Sequence, residues 1–164
     1  MSRYRTSNKK KIEIANNLIL ALINDDVTLS NDSKKFISCW IATDYTEKGK
    51  AHYDVWRLVL NTYKPPVLDH RLILFRYCKR LKSRKIESYT TSAYTLSRFQ
   101  NNESGYILIF DSNIITKDEV KYFPLVDLIK RKYNSNSQYI KEEEYIVETN
   151  LGVMSYYKIS KIKE

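Results

Sequence analysis

Apolar side chains recur every three or four residues in three stretches of the first third of the chain, and this spacing predicts three helices. The first stretch runs from Ile12 to Leu22 and the second from Phe36 to Ile41. Residues 31–33 offer N-cap candidates for the second helix, since their short polar side chains accept hydrogen bonds from unpaired N–H groups. The third helix is expected over residues 51–63, because two consecutive prolines follow it and proline cannot continue a helix.

After these prolines the pattern changes to short runs rich in β-branched and aromatic residues, which is typical of strands. We expect three such strands, over residues 71–77, 85–92 and 105–110. A short helix is expected over 93–99, whereas residues 111–131 fit either short strands or a helix. The runs 145–149 and 153–159 flank Asn150-Leu151-Gly152, which predicts a closing hairpin. Helices first and strands later indicate an α+β fold without βαβ alternation.

The length of 164 residues is enough for one domain, 1–164, with a helical lead-in at 10–64 and a β-rich core at 70–164. The longest apolar runs are too short to cross a bilayer, and no secretory signal is expected near the N-terminus. The two cysteines show no CxxC spacing, and the two histidines do not complete a ligand set, so no metal site is expected. Free thiols favour a cytoplasmic location.

The formal net charge is +9 and the pI is about 9.4, so anionic partners are expected, such as nucleic acid, an acidic protein or a phosphate-bearing ligand. Fourteen tyrosines are available to stack on bases. The lysines are spread along the chain instead of clustering, however, which favours a general background of Lys and Tyr over a nucleic-acid-binding surface. A membrane partner is not expected.

Two carboxylates stand two residues apart, at Glu142 and Glu144, immediately before the apolar run Tyr145-Ile146-Val147. If all of these residues form a strand, both carboxylates point to one face, because strand side chains alternate. Paired carboxylates suit the cleavage of a glycosidic bond, where one stabilises an electron-poor sugar carbon and the other handles a proton. A run of three glutamates is also typical of a solvated surface, so two upstream segments decide between these interpretations.

The first upstream segment is Leu74-Phe75-Arg76, with an arginine at the end of an apolar strand, and the second is Tyr89-Thr90-Thr91-Ser92, a hydroxyl-rich strand end. Together with the segment 139–144, and in this order, they resemble the arginine–serine–glutamate class of mono-ADP-ribosyltransferases. That class includes clostridial binary-toxin and Rho-modifying exoenzymes and phage Mod-type enzymes. The resemblance extends from about residue 33 to the C-terminus. It implies a β core of mixed or antiparallel strands in two sheets.

The resemblance implies that NAD is the substrate, with no metal. Arg76 would clamp the NAD pyrophosphate, since a planar guanidinium forms paired hydrogen bonds to phosphate oxygens; the alternative is an arginine that reaches water or pairs with a carboxylate. When Tyr89 is aligned with the aromatic residue of the family's motif, Thr91 stands where the family's first serine usually stands and Ser92 follows it; a shift by one residue would make Thr90 the key hydroxyl. Phe99 would stack near nicotinamide or belong to the core.

The resemblance also assigns roles to the acidic segment. Glu144 would be the catalytic glutamate that stabilises the oxocarbenium-like transition state as nicotinamide leaves. Glu142 would orient or deprotonate the acceptor, and a glutamate at this position goes with arginine acceptors. Tyr139 would contact the acceptor, whereas Glu143 is expected to face solvent.

These residues predict an NAD-dependent transferase that modifies an arginine of a target protein, as a phage- or toxin-type effector within the cell that makes it. By analogy with the phage enzymes, the target would belong to the transcription or translation machinery. The alternatives are ADP-ribosylation of nucleic acid, NAD glycohydrolysis on the same fold, and a non-enzymatic basic module that binds nucleic acid.

Overall fold

The computed structural model describes residues 4–42, 48–100, 103–116, 118–133 and 142–160. They divide into two compact units, the first of which contains residues up to Tyr63 and those from Asp127 to 133. The second unit contains the remaining described residues, from Lys64 to Val126 and from 142 to 160. The predicted catalytic carboxylates therefore belong to the second unit.

Three helices of the first unit occur where the apolar spacing predicts them: α1 (Asn8–Ile23), α2 (Asn31–Ala42) and α3 (Lys50–Thr62). The side chain of Ser7 accepts a hydrogen bond from the backbone N–H of Lys10 and so caps α1. Helix α2 is capped one residue earlier than the sequence predicts, because Ser30 Oγ accepts the backbone N–H of Ser33 at 3.1 Å.

Aromatic side chains from α2 and α3 form the centre of this unit. Phe36, Trp40 and Trp56 are almost completely buried, and their rings meet edge to face at centroid distances of 5.1 to 5.6 Å. Complete burial of a side chain such as Phe36 stabilises the fold by roughly 1.5–3 kcal/mol. His52 of α3 lies within the same cluster and is also fully buried.

The second unit contains a six-stranded antiparallel sheet. Its strands, in chain order, are β1 (Ile73–Cys78), β2 (Ile86–Thr90), β3 (Gly105–Asp111), β4 (Tyr122–Phe123), β5 (Glu144–Glu148) and β6 (Ser155–Ile159). Their spatial order is β4-β5-β2-β1-β3-β6. Helix α4 (Ala93–Gln100) connects β2 to β3, and helix α5 (Leu125–Lys132) follows β4 and continues into the first unit. The α+β class predicted from the sequence is thus confirmed.

Two expectations about the strands are wrong. The described strands form a single sheet, where a two-sheet core was expected. In addition, β5 and β6 do not form the expected hairpin, because β5 pairs with β2 and β4 whereas β6 pairs with β3. Residues 150–154 fold into a turn in which the Asn150 carbonyl accepts the Met154 N–H, and the chain crosses the sheet there. Strand propensity identified both segments but contains no information about their partners.

The alternation of side chains gives this sheet two distinct faces. On the face that we call the core face, buried residues of neighbouring strands pack together: Leu74, Cys78, Tyr89, Leu108, Phe110 and Val147. On the opposite face, which we call the outer face, the cross-strand pairs Phe75–Thr90, Phe75–Ile109 and Thr90–Glu144 place these four residues side by side. Most of the outer-face residues of β1 are only half-buried.

No helix in the described part of the chain is both long enough and apolar enough to cross a membrane.

Candidate functional site

The hydroxyl of Ser88 donates a hydrogen bond to Oε2 of Glu144, and this pair is the centre of the candidate site. Ser88 lies in β2 and Glu144 is the first residue of β5, so two adjacent strands present the two groups. Both residues are half-buried. The contact joins a neutral donor to a carboxylate, which is a stronger and more directional bond than one between neutral groups.

The register between β2 and β5 brings these side chains together. Thr90 lies directly opposite Glu144, and Ser88 lies opposite Ile146. Residues that face each other in an antiparallel pair share one side of the sheet, so Ser88, Thr90 and Glu144 all lie on the outer face. Ser88 reaches Glu144 along the diagonal between the two pairs.

Thr90 holds the segment that leads into β5. Its hydroxyl donates to the backbone carbonyl of Glu142 at 2.6 Å, and the same oxygen accepts the backbone N–H of Ser92 at 3.0 Å. Ser92 in turn accepts the N–H of Thr95 and caps helix α4. The hydroxyls of Thr90 and Ser92 therefore shape the backbone around Glu144, and Thr91 lies in the bend between them.

Glu143 adopts a left-handed backbone conformation with φ of 48°. Such a conformation is unfavourable for a residue with a Cβ, and it is found disproportionately at functional sites. Because β5 begins only at Glu144, the alternation that predicted a shared face for Glu142 and Glu144 does not extend to Glu142. What the structure does show for Glu142 is that its carbonyl is held by Thr90.

Arg76 lies on the core face, behind the Ser88–Glu144 pair. It stands opposite Leu108 in the sheet, and its Nε lies 3.2 Å from Oε2 of Glu87 in an ion pair. The structure therefore does not bring the Arg76 side chain to the face that presents Glu144. Of the two roles considered for Arg76, the observed contact is the pairing with a carboxylate; its role as a pyrophosphate clamp stays a prediction.

Two further candidates cannot be placed beside the pair. Phe99 belongs to helix α4, but its side chain lies outside the part of the chain that the structure describes, and Tyr139 lies outside the described residues altogether. Ser88, by contrast, is not among the residues that the sequence predicts. The alignment on Tyr89 points to the hydroxyls after it, although the strand repeat of two places the hydroxyls of Ser88 and Thr90 on one face.

Burial raises the pKa of two groups on the core face near Glu87. The phenol of Tyr89 has its pKa raised chiefly by burial, with Glu87 adding to the effect, and the thiol of Cys78 has its pKa raised for the same two reasons. Both groups therefore stay neutral at pH 7. Within the described ranges, no group of three or more His, Cys, Asp or Glu side chains is placed to hold a metal ion.

An open cleft of about 470 Å³ lies elsewhere in the second unit, and neither Ser88 nor Glu144 lines it. The segment 66–71 forms one side, and Phe110 and Tyr122 belong to its lining. Arg71 at this cleft already makes two contacts with the carboxylate of Asp111. The cleft is therefore separate from the candidate site at Ser88 and Glu144.

No family model, curated protein or solved structure matches this chain. The chemistry must therefore be argued from the site itself, which offers a half-buried carboxylate oriented by a hydroxyl at the edge of a strained turn. A carboxylate fixed in this way can stabilise a developing positive charge on a bound substrate, because its position needs no rearrangement during the reaction.

Proposed function

We propose that this protein is an NAD-dependent mono-ADP-ribosyltransferase that transfers ADP-ribose to an arginine of a target protein and releases nicotinamide. The observation that supports it most is the hydrogen bond from Ser88 to Glu144. In the proposed site Glu144 faces the nicotinamide ribose, and Ser88 keeps the carboxylate in one orientation. The resemblance to the arginine–serine–glutamate class supplies the reaction type and the identity of the donor.

In the proposed reaction, the bond between the ribose C1 atom and the nicotinamide nitrogen breaks, and its electron pair leaves with neutral nicotinamide. Glu144 stabilises the oxocarbenium-like sugar that forms. A guanidinium nitrogen of the acceptor then bonds to C1 and loses one proton. Glu142 orients the acceptor and takes this proton, and a turn held by Thr90 sets the position of Glu142.

The candidate site is open enough to accept a side chain of another protein. Ser88 and Glu144 are half-buried, so a side chain of a second protein can approach them from solvent. The positive net charge favours an acidic target or one bound to nucleic acid, as the transcription and translation machinery are. We therefore place the acceptor arginine on such a target.

The decisive experiment is incubation of the purified protein with labelled NAD and a cell lysate, followed by measurement of nicotinamide release and of label on protein. Glu144→Gln should lower nicotinamide release by at least about 100-fold, since a charge-stabilising group contributes roughly 3 kcal/mol to such a transition state. Glu148→Gln is the matched control, because it removes a carboxylate from the other end of the same strand.

The products of this reaction distinguish the proposed activity from its alternatives. Mass spectrometry should locate ADP-ribose on an arginine. Release of nicotinamide without label transfer would identify an NAD glycohydrolase, and label on nucleic acid would identify the other acceptor class. If the folded protein releases no nicotinamide with any lysate or acceptor tried, the proposal is refuted.

A further inference from the structure

A buried acidic residue stands directly behind the candidate site. The side chain of Glu87 is only 5% exposed, although it carries a carboxylate. Three groups surround it: Arg76 Nε lies 3.2 Å from Oε2, Lys85 Nζ lies 3.2 Å from Oε1, and the Thr149 hydroxyl donates to Oε2 at 3.2 Å. A buried carboxylate is tolerated only when it is compensated in this way.

Arg76 links this buried carboxylate to the strand that presents Ser88. Its Nη1 donates a hydrogen bond of 2.9 Å to the backbone carbonyl of Ser88, while its Nε faces Glu87 at a distance but not an angle suited to a hydrogen bond. One guanidinium thus contacts both the side chain of Glu87 and the backbone of Ser88. The hydroxyl of that same Ser88 bonds Glu144 on the opposite face.

We propose that Arg76 is a positioning residue for Ser88 and Glu144, held in place by Glu87, and that it does not bind the phosphates of the substrate. The catalytic part of this inference rests on the proposed function. Two observations support it: the guanidinium lies on the core face, and its charge is already compensated by a buried carboxylate. A phosphate ligand would need that charge to be available on the outer face.

The planar fork of arginine suits this task better than lysine does. Arginine directs several N–H groups from one rigid plane, so it can contact Glu87 and the Ser88 carbonyl at once. Lysine would keep the charge but has a single nitrogen on a flexible stem. We therefore expect Arg76→Lys to keep the ion pair with Glu87 and to lose the bond to the Ser88 carbonyl.

The first test measures amide hydrogen exchange in β2 without any NAD, so its result is independent of the proposed activity. Arg76→Lys should speed exchange of the amides in the segment 87–90 by about tenfold or more, because the strand loses an anchoring contact. The matched control is Arg71→Lys, which alters another arginine–carboxylate pair, that of Arg71 with Asp111, away from β2. Unchanged exchange in Arg76→Lys would overturn the inference, even if the protein is a transferase.

The second test uses the kinetics of nicotinamide release. A positioning role predicts that Arg76→Lys lowers kcat by about tenfold or more and changes KM for NAD by less than about threefold, and that Glu87→Gln does the same. A phosphate clamp predicts the opposite division, with KM raised for Arg76→Lys alone. The second pattern would overturn the inference while leaving the transferase proposal intact.

Because Glu87→Gln leaves an arginine without its buried partner, that variant can fail to fold. The double variant Arg76→Met/Glu87→Gln removes both charges and avoids this problem. It should fold, show the same faster exchange in β2 and have the same low kcat as Arg76→Lys. Wild-type exchange and kcat in the folded double variant would overturn the inference.

Discussion

At the scale of single residues, one hydroxyl contacts the carboxylate on which the proposed reaction depends. Ser88 bonds the side chain of Glu144, whereas Thr90 bonds the backbone of Glu142. The two hydroxyls therefore have separate tasks, one orienting the carboxylate and one shaping the turn before it. Thr91, which the sequence aligns with the key serine, has neither of these contacts.

This division predicts the result of a pair of alanine variants. Ser88→Ala should lower the rate of nicotinamide release by about 10- to 100-fold at saturating NAD, because Glu144 loses the donor that orients it. Thr91→Ala should have less than about a threefold effect in the same assay. If Thr91→Ala lowers the rate more than Ser88→Ala does, the alignment on Tyr89 identified the correct hydroxyl and the Ser88 contact is dispensable.

The residue scale also shows where sequence-based prediction stops. Glu144 and the hydroxyl segment were recognisable, because carboxylates before an apolar run and consecutive threonines are local features of the sequence. Local sequence does not show which of Ser88, Thr90 and Thr91 contacts the carboxylate, because the contact depends on the register that places Thr90 opposite Glu144. The same reason applies to Arg76, whose face follows from its pairing with β3.

At the scale of elements, the helices followed from the sequence more reliably than the strands. Each of α1, α2 and α3 buries one apolar stripe, and that stripe repeats within a single short segment. A strand, by contrast, is completed by partners far away in the chain, so β5 and β6 were recognised as strands but assigned to each other. Their true partners, β2 and β3, could not be read from local pattern.

Helix α3 contains a buried ionisable group, His52, that the proposed chemistry does not use. The imidazole is 0% exposed, stacks on Tyr4 at a centroid distance of 4.8 Å, and finds no hydrogen-bond partner for either nitrogen among the described residues. Burial, together with the positive charge of the nearby Lys48, lowers the pKa of His52 to about 4. The folded protein therefore holds this histidine neutral.

The lowered pKa predicts a loss of stability in acid. The unfolded chain binds a proton at His52 near pH 6.5, whereas the folded chain binds it only near pH 4. The free energy of unfolding therefore has its full value above about pH 7 and decreases as the pH falls from 6.5 to 4. The loss should amount to as much as ~3 kcal/mol. Urea titrations between pH 7 and pH 4 would measure it.

The matched variant is His52→Phe, which keeps an aromatic ring in the cluster and removes the titrating group. Its free energy of unfolding should decline less than that of the wild type between pH 6.5 and 4. His70→Phe serves as the control, because His70 is exposed. Parallel pH profiles for the wild type and His52→Phe would contradict the argument from burial.

At the scale of the whole molecule, the net charge of +9 acts on partners beyond the site itself. A positive surface speeds the encounter with an acidic protein, and salt screens this attraction. Release of nicotinamide in the absence of a target needs no such encounter. The two activities should therefore differ in their dependence on ionic strength.

We expect transfer to an acidic target to slow by roughly tenfold between about 50 and 200 mM salt, while nicotinamide release in the absence of a target changes by less than about twofold. Steady-state rates at several salt concentrations would test this. Should both rates fall in parallel, the positive charge would act on NAD binding and not on the choice of target.

The order of the strands has a consequence for the synthesis of this protein. Ser88 and Glu144 are 56 residues apart in the chain, and β5 must insert between β4 and β2 to bring them together. Until residue 148 has emerged from the ribosome, the nascent chain contains Ser88 on β2 but lacks β5, the strand that begins with Glu144. The proposed enzyme is thus inert while it is being translated, and a ribosome that makes it meets the active form only after β5 has emerged and folded.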